Sequence, residues 1–189
     1  MSLPYIRVAL VDDHAFLLES FSALLELDSR FEVVGTATTA EAGVALVREQ
    51  RPDVCVFDVD FEGLDSFDLV PGLEDDCPEV KIIFLTAHYS DVFLHQALSM
   101  NARGYLIKNE SALSVRDSIV RVHRGEFAFS SPIANRLVFD EKNNQYKVCT
   151  DNLLCSLTIT QLSILRHLAR GESVKLIAHL LGKSEKSID

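Results

Sequence analysis

The chain has 189 residues, 48% of them hydrophobic, and a formal charge of -10, which gives room for one ordinary domain, a small second one and a sizeable core. An acidic balance excludes a protein that coats nucleic acid over its whole surface, and no run approaches the roughly 18 apolar residues of a membrane span, so a cytoplasmic protein is expected. The charge is uneven: from Leu153 onward five Lys or Arg meet three acids, a tail of +2 on a body of -12.

The first apolar run, Ile6 to Val11, ends on Asp12 and Asp13. Helical spacing follows, with Leu17, Phe21, Leu24 and Leu25 on one face, and returns over the Ala-, Glu- and Val-rich stretch from Thr39 to Gln50. Val54 to Phe57 runs into Asp58, Ile82 to Leu85 into Thr86, and Tyr105 to Ile107 into Lys108, before a helix with Val115, Ile119 and Val122 inward. Strand and helix thus alternate five times up to Arg124, which predicts right-handed crossovers and an α/β domain: a (βα)5 doubly wound parallel sheet over residues 1–125. Cys55, Cys77, Cys149 and Cys155 have no CxxC spacing and read as reduced thiols, Cys55 in the core.

Beyond Gly125 the alternation stops. Residues 126–155 read as a linker with one short helix, started by Ser130-Ser131-Pro132 and running to Val138, because serine caps and proline tolerates the first turn. From Leu157 the helical period returns. Thr158 or Thr160 caps a helix burying Leu162, Leu165, Leu168 and Ala169, and Gly171 stops it. Ser173 opens a second helix with Val174, Ile177, Ala178 and Leu181 inward, and Ser184 opens a third that ends almost at once. Residues 156–189 are therefore expected to be a small all-α helix-turn-helix fragment.

Ligands of an open parallel sheet bind outside the carboxyl ends of its strands, so Asp12, Asp13, Asp58, Thr86 and Lys108 are expected in one crevice. A carboxylate attacks phosphorus to form an acyl phosphate, and the meeting of two anions needs a cation. Mg2+ takes oxygen ligands and suits the three acids. Lys108 would neutralise one phosphoryl oxygen and Thr86 would donate to another. Taken singly, an acid pair after a strand is more often a helix cap than a metal site, and His14 and His88, which border the site, fit surface roles better than metal ligation.

The order of these residues, and the strings VDDHAFLLESFSALLE, PDVCVFDVD, IIFLTAH and GYLIKN, resemble the receiver domain of two-component response regulators, a flavodoxin-like fold. The resemblance covers residues 5 to 125. It implies that Asp58 is the phosphoacceptor, Asp13 a direct Mg2+ ligand, Asp12 a ligand through water, and the backbone carbonyl of Asp60 a further ligand. It also implies that Thr86 and Lys108 sense the phosphoryl group and that Tyr105 stands where an aromatic switch belongs, with plain half-buried packing as the other reading. Asp60-Phe61-Glu62-Gly63-Leu64-Asp65-Ser66 departs from the family's Met-Pro-Gly loop, and Asp60 is expected to alter the lifetime of the acyl phosphate.

The tail, LTITQLSILRHLARGESVKLIAHLLGKSEKSID, is similar to the DNA-binding helix-turn-helix of the LuxR/NarL (FixJ) type. That likeness puts Lys183, Ser184, Lys186 and Ser187 near DNA, and implies a transcription regulator with a histidine kinase as phosphodonor and homodimerisation as an option. The recognition helix reads as truncated, with DNA binding by this chain weak or absent. Two other readings stand beside this one: an aspartyl-phosphate phosphatase, and a degenerate receiver serving as a phosphorylation-independent binding module. Gly182-Lys183-Ser184 is not a P-loop, because position 177 is Ile where that motif needs glycine.

Overall fold

The computed structural model describes residues 5–61, 64, 65, 67, 70–141, 145–149 and 152–188, and the chain divides into two compact units, 1–150 and 151–189. Glu62, Gly63 and Ser66 of the departing loop lie outside the described residues.

The first unit is a parallel sheet with helices between its strands. In chain order come β1 (Ile6–Val11), α1 (Ala15–Glu26), β2 (Phe31–Ala37), α2 (Ala40–Gln50) and β3 (Val54–Asp58). Two short strands, β4 (Asp60–Phe61) and β5 (Leu64–Asp65), pair antiparallel after it. Then follow α3 (Pro71–Asp76), β6 (Lys81–Thr86), α4 (Asp91–Ser99), β7 (Gly104–Ile107) and α5 (Ala112–His123). The strand order is β2-β1-β3-β6-β7-β8, every pair parallel.

The sixth strand, β8 (Ala128–Phe129), corrects the five-strand expectation. It joins the edge because Ala128 and Phe129 pair with Gly104 and Tyr105, a long-range match that two residues are too short to announce. The segment 126–155 is likewise no plain linker. Its helix, α6 (Ser131–Ala134), stops before Val138, and β9 (Leu137–Asp140) and β10 (Gln145–Val148) form an antiparallel hairpin. The alternating exposure along β10 is a strand period hidden in a polar stretch.

Central strands are apolar because both faces are covered: Val8, Val54, Ile83 and Leu106 share one core with Phe21 and Leu25 of α1 and Val115, Ile119 and Val122 of α5. On α1 the buried stripe is Leu18, Phe21 and Leu25; Leu17 and Leu24 sit at its margin, half-buried. Spacings of three and four place both sets on neighbouring stripes, and only the sheet decides between them. Thr39 caps α2 by accepting from Ala42 N–H at 3.2 Å. Cys55 and Cys77 are buried, and all four cysteines are free. Burial pushes the Cys55 thiol up, well beyond its ordinary range.

The second unit holds a 3-10 turn (Leu153–Ser156), α7 (Ile159–Ala169), α8 (Val174–Leu180) and a final 3-10 turn (Glu185–Ser187). Thr158 caps α7 in a reciprocal box with Gln161, and Ser173 caps α8. Gly171 and Gly182 stop the helices at φ +78° and +60°, where a Cβ is unfavourable. The buried side of α7 is Leu162, Ser163 and His167. Leu165, Leu168 and Ala169 are exposed instead, because α8 covers one stripe and leaves the adjacent one open. Val174 and Leu181 are half-buried; Ile177 and Ala178 are fully inward. Lys183, Ser184, Lys186 and Ser187 are all exposed, and Ser184 Oγ lies 2.7 Å from Ser187 Oγ rather than capping a helix. Among the described residues, no helix is long and apolar enough to cross a membrane.

Candidate functional site

Sheet register brings the strand ends to one level. Val11 pairs with Phe57, Asp58 with Leu85, and Thr86 with Ile107, so Asp12, Asp58, Thr86 and Lys108 emerge on the same edge. Backbone bonds lock the rims: Val59 N–H donates to Leu85 O at 2.9 Å, and Lys108 N–H to Thr86 O at 2.7 Å.

Lys108 closes the centre. Its Nζ lies 2.8 Å from Asp58 Oδ2 and 2.8 Å from Asp12 Oδ2. Asp12 and Asp58 are almost wholly buried, 2% and 1% exposed, and a buried carboxylate is tolerated only when compensated. Burial raises Asp58 to about 6, while its hydrogen bond from Lys108 pulls the other way. The same two carboxylates hold the Lys108 ammonium above its usual value against the opposing effect of burial. Asp60 N–H donates to Asp58 Oδ1 at 3.2 Å.

One ligand atom from each of Asp12, Asp13, His14 and Asp58 falls within a 4.8 Å cluster. Asp12 Oδ2 and Asp13 Oδ1 are buried without a well-formed hydrogen bond among the described residues; at ion-pair distance Asp12 Oδ2 meets the Lys108 ammonium and Asp13 Oδ1 the His14 imidazole. Oxygen donors that keep unused lone pairs in a half-enclosed pocket fit a hard divalent ion. His14 is exposed, as expected, yet its Nδ1 sits 3.0 Å from Asp12 Oδ1 and 2.6 Å from Asp13 Oδ1. The hydrogen bond to Asp12, then the charge of Asp13, raise its pKa. Sequence reasoning set His14 at the border of the site but did not foresee its pairing with both acids, although its position directly after them was the available signal.

Thr86 is buried and engaged elsewhere on the same rim. Its hydroxyl lies 3.1 Å from Asp60 Oδ2 and 2.9 Å from His88 O, and it accepts from His88 N–H at 3.2 Å. Tyr105 is fully buried rather than half-buried, its hydroxyl without a well-formed hydrogen bond. Burial raises its pKa beyond the ordinary phenol value.

A family model described as the response regulator receiver domain matches residues 8–119. The chain belongs to that family. This response regulator is 31% identical to the nitrate/nitrite response regulator protein homolog of Haemophilus influenzae, over 97% of this chain and 85% of that one. Among solved structures, a LuxR-family two-component response regulator from Aurantimonas is 27% identical, with a TM-score of 0.65 over 70% of this chain and 94% of that one. RcsB of Salmonella enterica bound to a promoter aligns over 98% of this chain and 87% of that one with a TM-score of 0.70; at 21% identity it shows the fold alone. The receiver resemblance read from the strand-end residues and the LuxR/NarL resemblance read from the tail are both borne out.

Proposed function

We propose that Asp58 takes a phosphoryl group from a histidine kinase or a small phosphodonor, and that the second unit passes this signal to DNA. The observation that carries the reading is the Lys108 ammonium 2.8 Å from both Asp58 Oδ2 and Asp12 Oδ2. A lysine shared by a nucleophile and a neighbouring acid marks the place where phosphoryl charge would be received.

In this reading Asp58 Oδ attacks phosphorus, the P–O or P–N bond to the donor breaks, and the leaving group departs with its electron pair. Mg2+ held by Asp12, Asp13, Asp58 and the Asp60 carbonyl would offset the charge that the two anions bring together. Lys108 shifts from the two carboxylates toward a phosphoryl oxygen. Thr86 exchanges its present acceptors for another. These new bonds exist in one conformation only, so they bias an equilibrium rather than create a state. The chain acts on itself alone, one phosphate per molecule, whereas a phosphatase would turn over added phosphate esters. In a protein of the type that the tail resembles, Lys183 and Lys186 would hold DNA phosphates with Ser184 and Ser187 beside them, in a cytoplasmic regulator for which homodimerisation is an option.

Intact mass spectrometry after incubation with phosphoramidate and Mg2+ tests the core of this. One added phosphate is expected on the natural chain, and none on Asp58→Asn or in the presence of a chelator. Equal labelling of Asp58→Asn would remove Asp58 from its role, and no labelling of the natural chain would favour the binding-module reading.

A further inference from the structure

The hairpin that replaced the expected linker is built onto the loop that leads away from Thr86. Tyr146 of β10 sits among Phe127, Phe129 and Phe139, with ring centroids 5.1, 5.1 and 5.0 Å away. Phe129 belongs to the edge strand paired with Tyr105, and the Arg103 guanidinium lies 5.0 Å over the Phe127 ring. β10 runs beside α4, and Cys149 N–H closes the hairpin base on Arg136 O at 2.8 Å. From that base Arg136 reaches across: its Nη2 lies 2.6 Å from Asp91 Oδ2, and its guanidinium 5.8 Å over the Tyr89 ring.

The loop from Thr86 to Asp91 is therefore held at both ends. At one end the Thr86 hydroxyl bonds His88 through both O and N–H; at the other, Arg136 grips Tyr89 and Asp91. A hydroxyl has a single hydrogen to donate, so a Thr86 that turns to a phosphoryl oxygen gives up His88 O and the Asp60 carboxylate together.

We propose that the β9–β10 hairpin is an internal ligand of the α4 face, seated there while Asp58 is unmodified and loosened through the Arg136 link when Thr86 is drawn to a phosphoryl group. The inference rests on Asp58 as phosphoacceptor. The α4 surface is then covered in cis before the signal and opened by it. The aromatic cluster seats the hairpin on the sheet edge through Phe127 and Phe129, and so holds β10 beside α4. Arg136 supplies the coupling: its own side chain is about half exposed while that of Asp91 is largely buried, so a displacement of the Asp91 loop moves the carboxylate away from a guanidinium held at the hairpin base.

Hydrogen exchange of the full chain, read by mass spectrometry with and without phosphoramidate and Mg2+, tests this, with intact mass recording the phosphate in each sample. Amides of residues 137–140 and 145–148 are expected to exchange roughly two- to fivefold faster on phosphorylation, the change a weak ion pair controls. Arg136→Ala is expected to show that faster exchange already without phosphate, and little further change with it. Arg136→Lys is expected to restore part of the difference. Phosphate incorporated with no change in hairpin exchange would overturn the inference and leave the role of Asp58 intact. A natural response in both Arg136 variants would overturn the link. Absence of phosphate on the natural chain would bring down the site reading and this inference with it.

Discussion

Asp58 combines burial with a charge it must carry to act. Its folded-state pKa is raised from 3.8 to about 6, so folding favours the protonated acid. Stability from this group is full below pH 4 and is lost as pH rises through 6. In metal-free solution the natural chain should lose about 1 to 3 kcal/mol across that window, and Asp58→Asn should lack the slope; chemical denaturation from pH 4 to 7.5 measures both. Asp60 is the second residue with a specific consequence. Its carboxylate holds the Thr86 hydroxyl at 3.1 Å and adds negative charge beside the acceptor. Asp60→Asn keeps an acceptor and removes the charge, and should raise the rate of labelling by phosphoramidate roughly fivefold, the size of a screened charge a few ångströms away. An unchanged rate in a time course of intact mass would show that Asp60 is electrostatically silent.

Elements are held by close approach as much as by propensity. Gly43 lies inside α2, where alanine is ordinarily better by about 1 kcal/mol. A Cβ there would stand 2.4 Å from Val11 Cγ1 and 3.2 Å from Phe57 Cε2, both in strands that carry site residues. Gly43→Ala should therefore destabilise by about 1 to 3 kcal/mol, the usual result of overpacking, despite the gain in propensity. Thermal unfolding measures the sign directly, and a stabilised variant would mean that α2 can move off the sheet freely. The spacing of α5 named its buried residues correctly, but α1 and α7 show the limit of that signal. A helix with adjacent apolar stripes does not announce which one its neighbour will cover.

At the scale of the molecule, two compact units predict two unfolding transitions. Mg2+ at about 100 times its Kd adds roughly 2.7 kcal/mol to whatever unit binds it, or about 5 to 10 °C for a domain near 150 residues. The transition of the first unit should rise by that amount and the second should stay in place. Asp13→Asn should abolish the shift; calorimetry with and without Mg2+ reads all three outcomes. The second unit, with Leu165, Leu168, Leu176 and Leu180 exposed, has a small core and should melt first.

The sequence by itself determined the alternation of strand and helix, and with it the strand ends that carry Asp12, Asp13, Asp58, Thr86 and Lys108, because apolar runs and helical periods are local signals. It also determined the family, since four separated motifs in order seldom arise together. Only the tertiary structure decided that the Lys108 ammonium is shared between Asp58, 50 residues away in the chain, and Asp12, that His14 pairs with both acids, that Thr86 is held by Asp60, and that β8 finishes the sheet edge and β10 lies beside α4. Each of these depends on sheet register, ring packing or ion pairing between distant segments, energies that no short window of sequence contains.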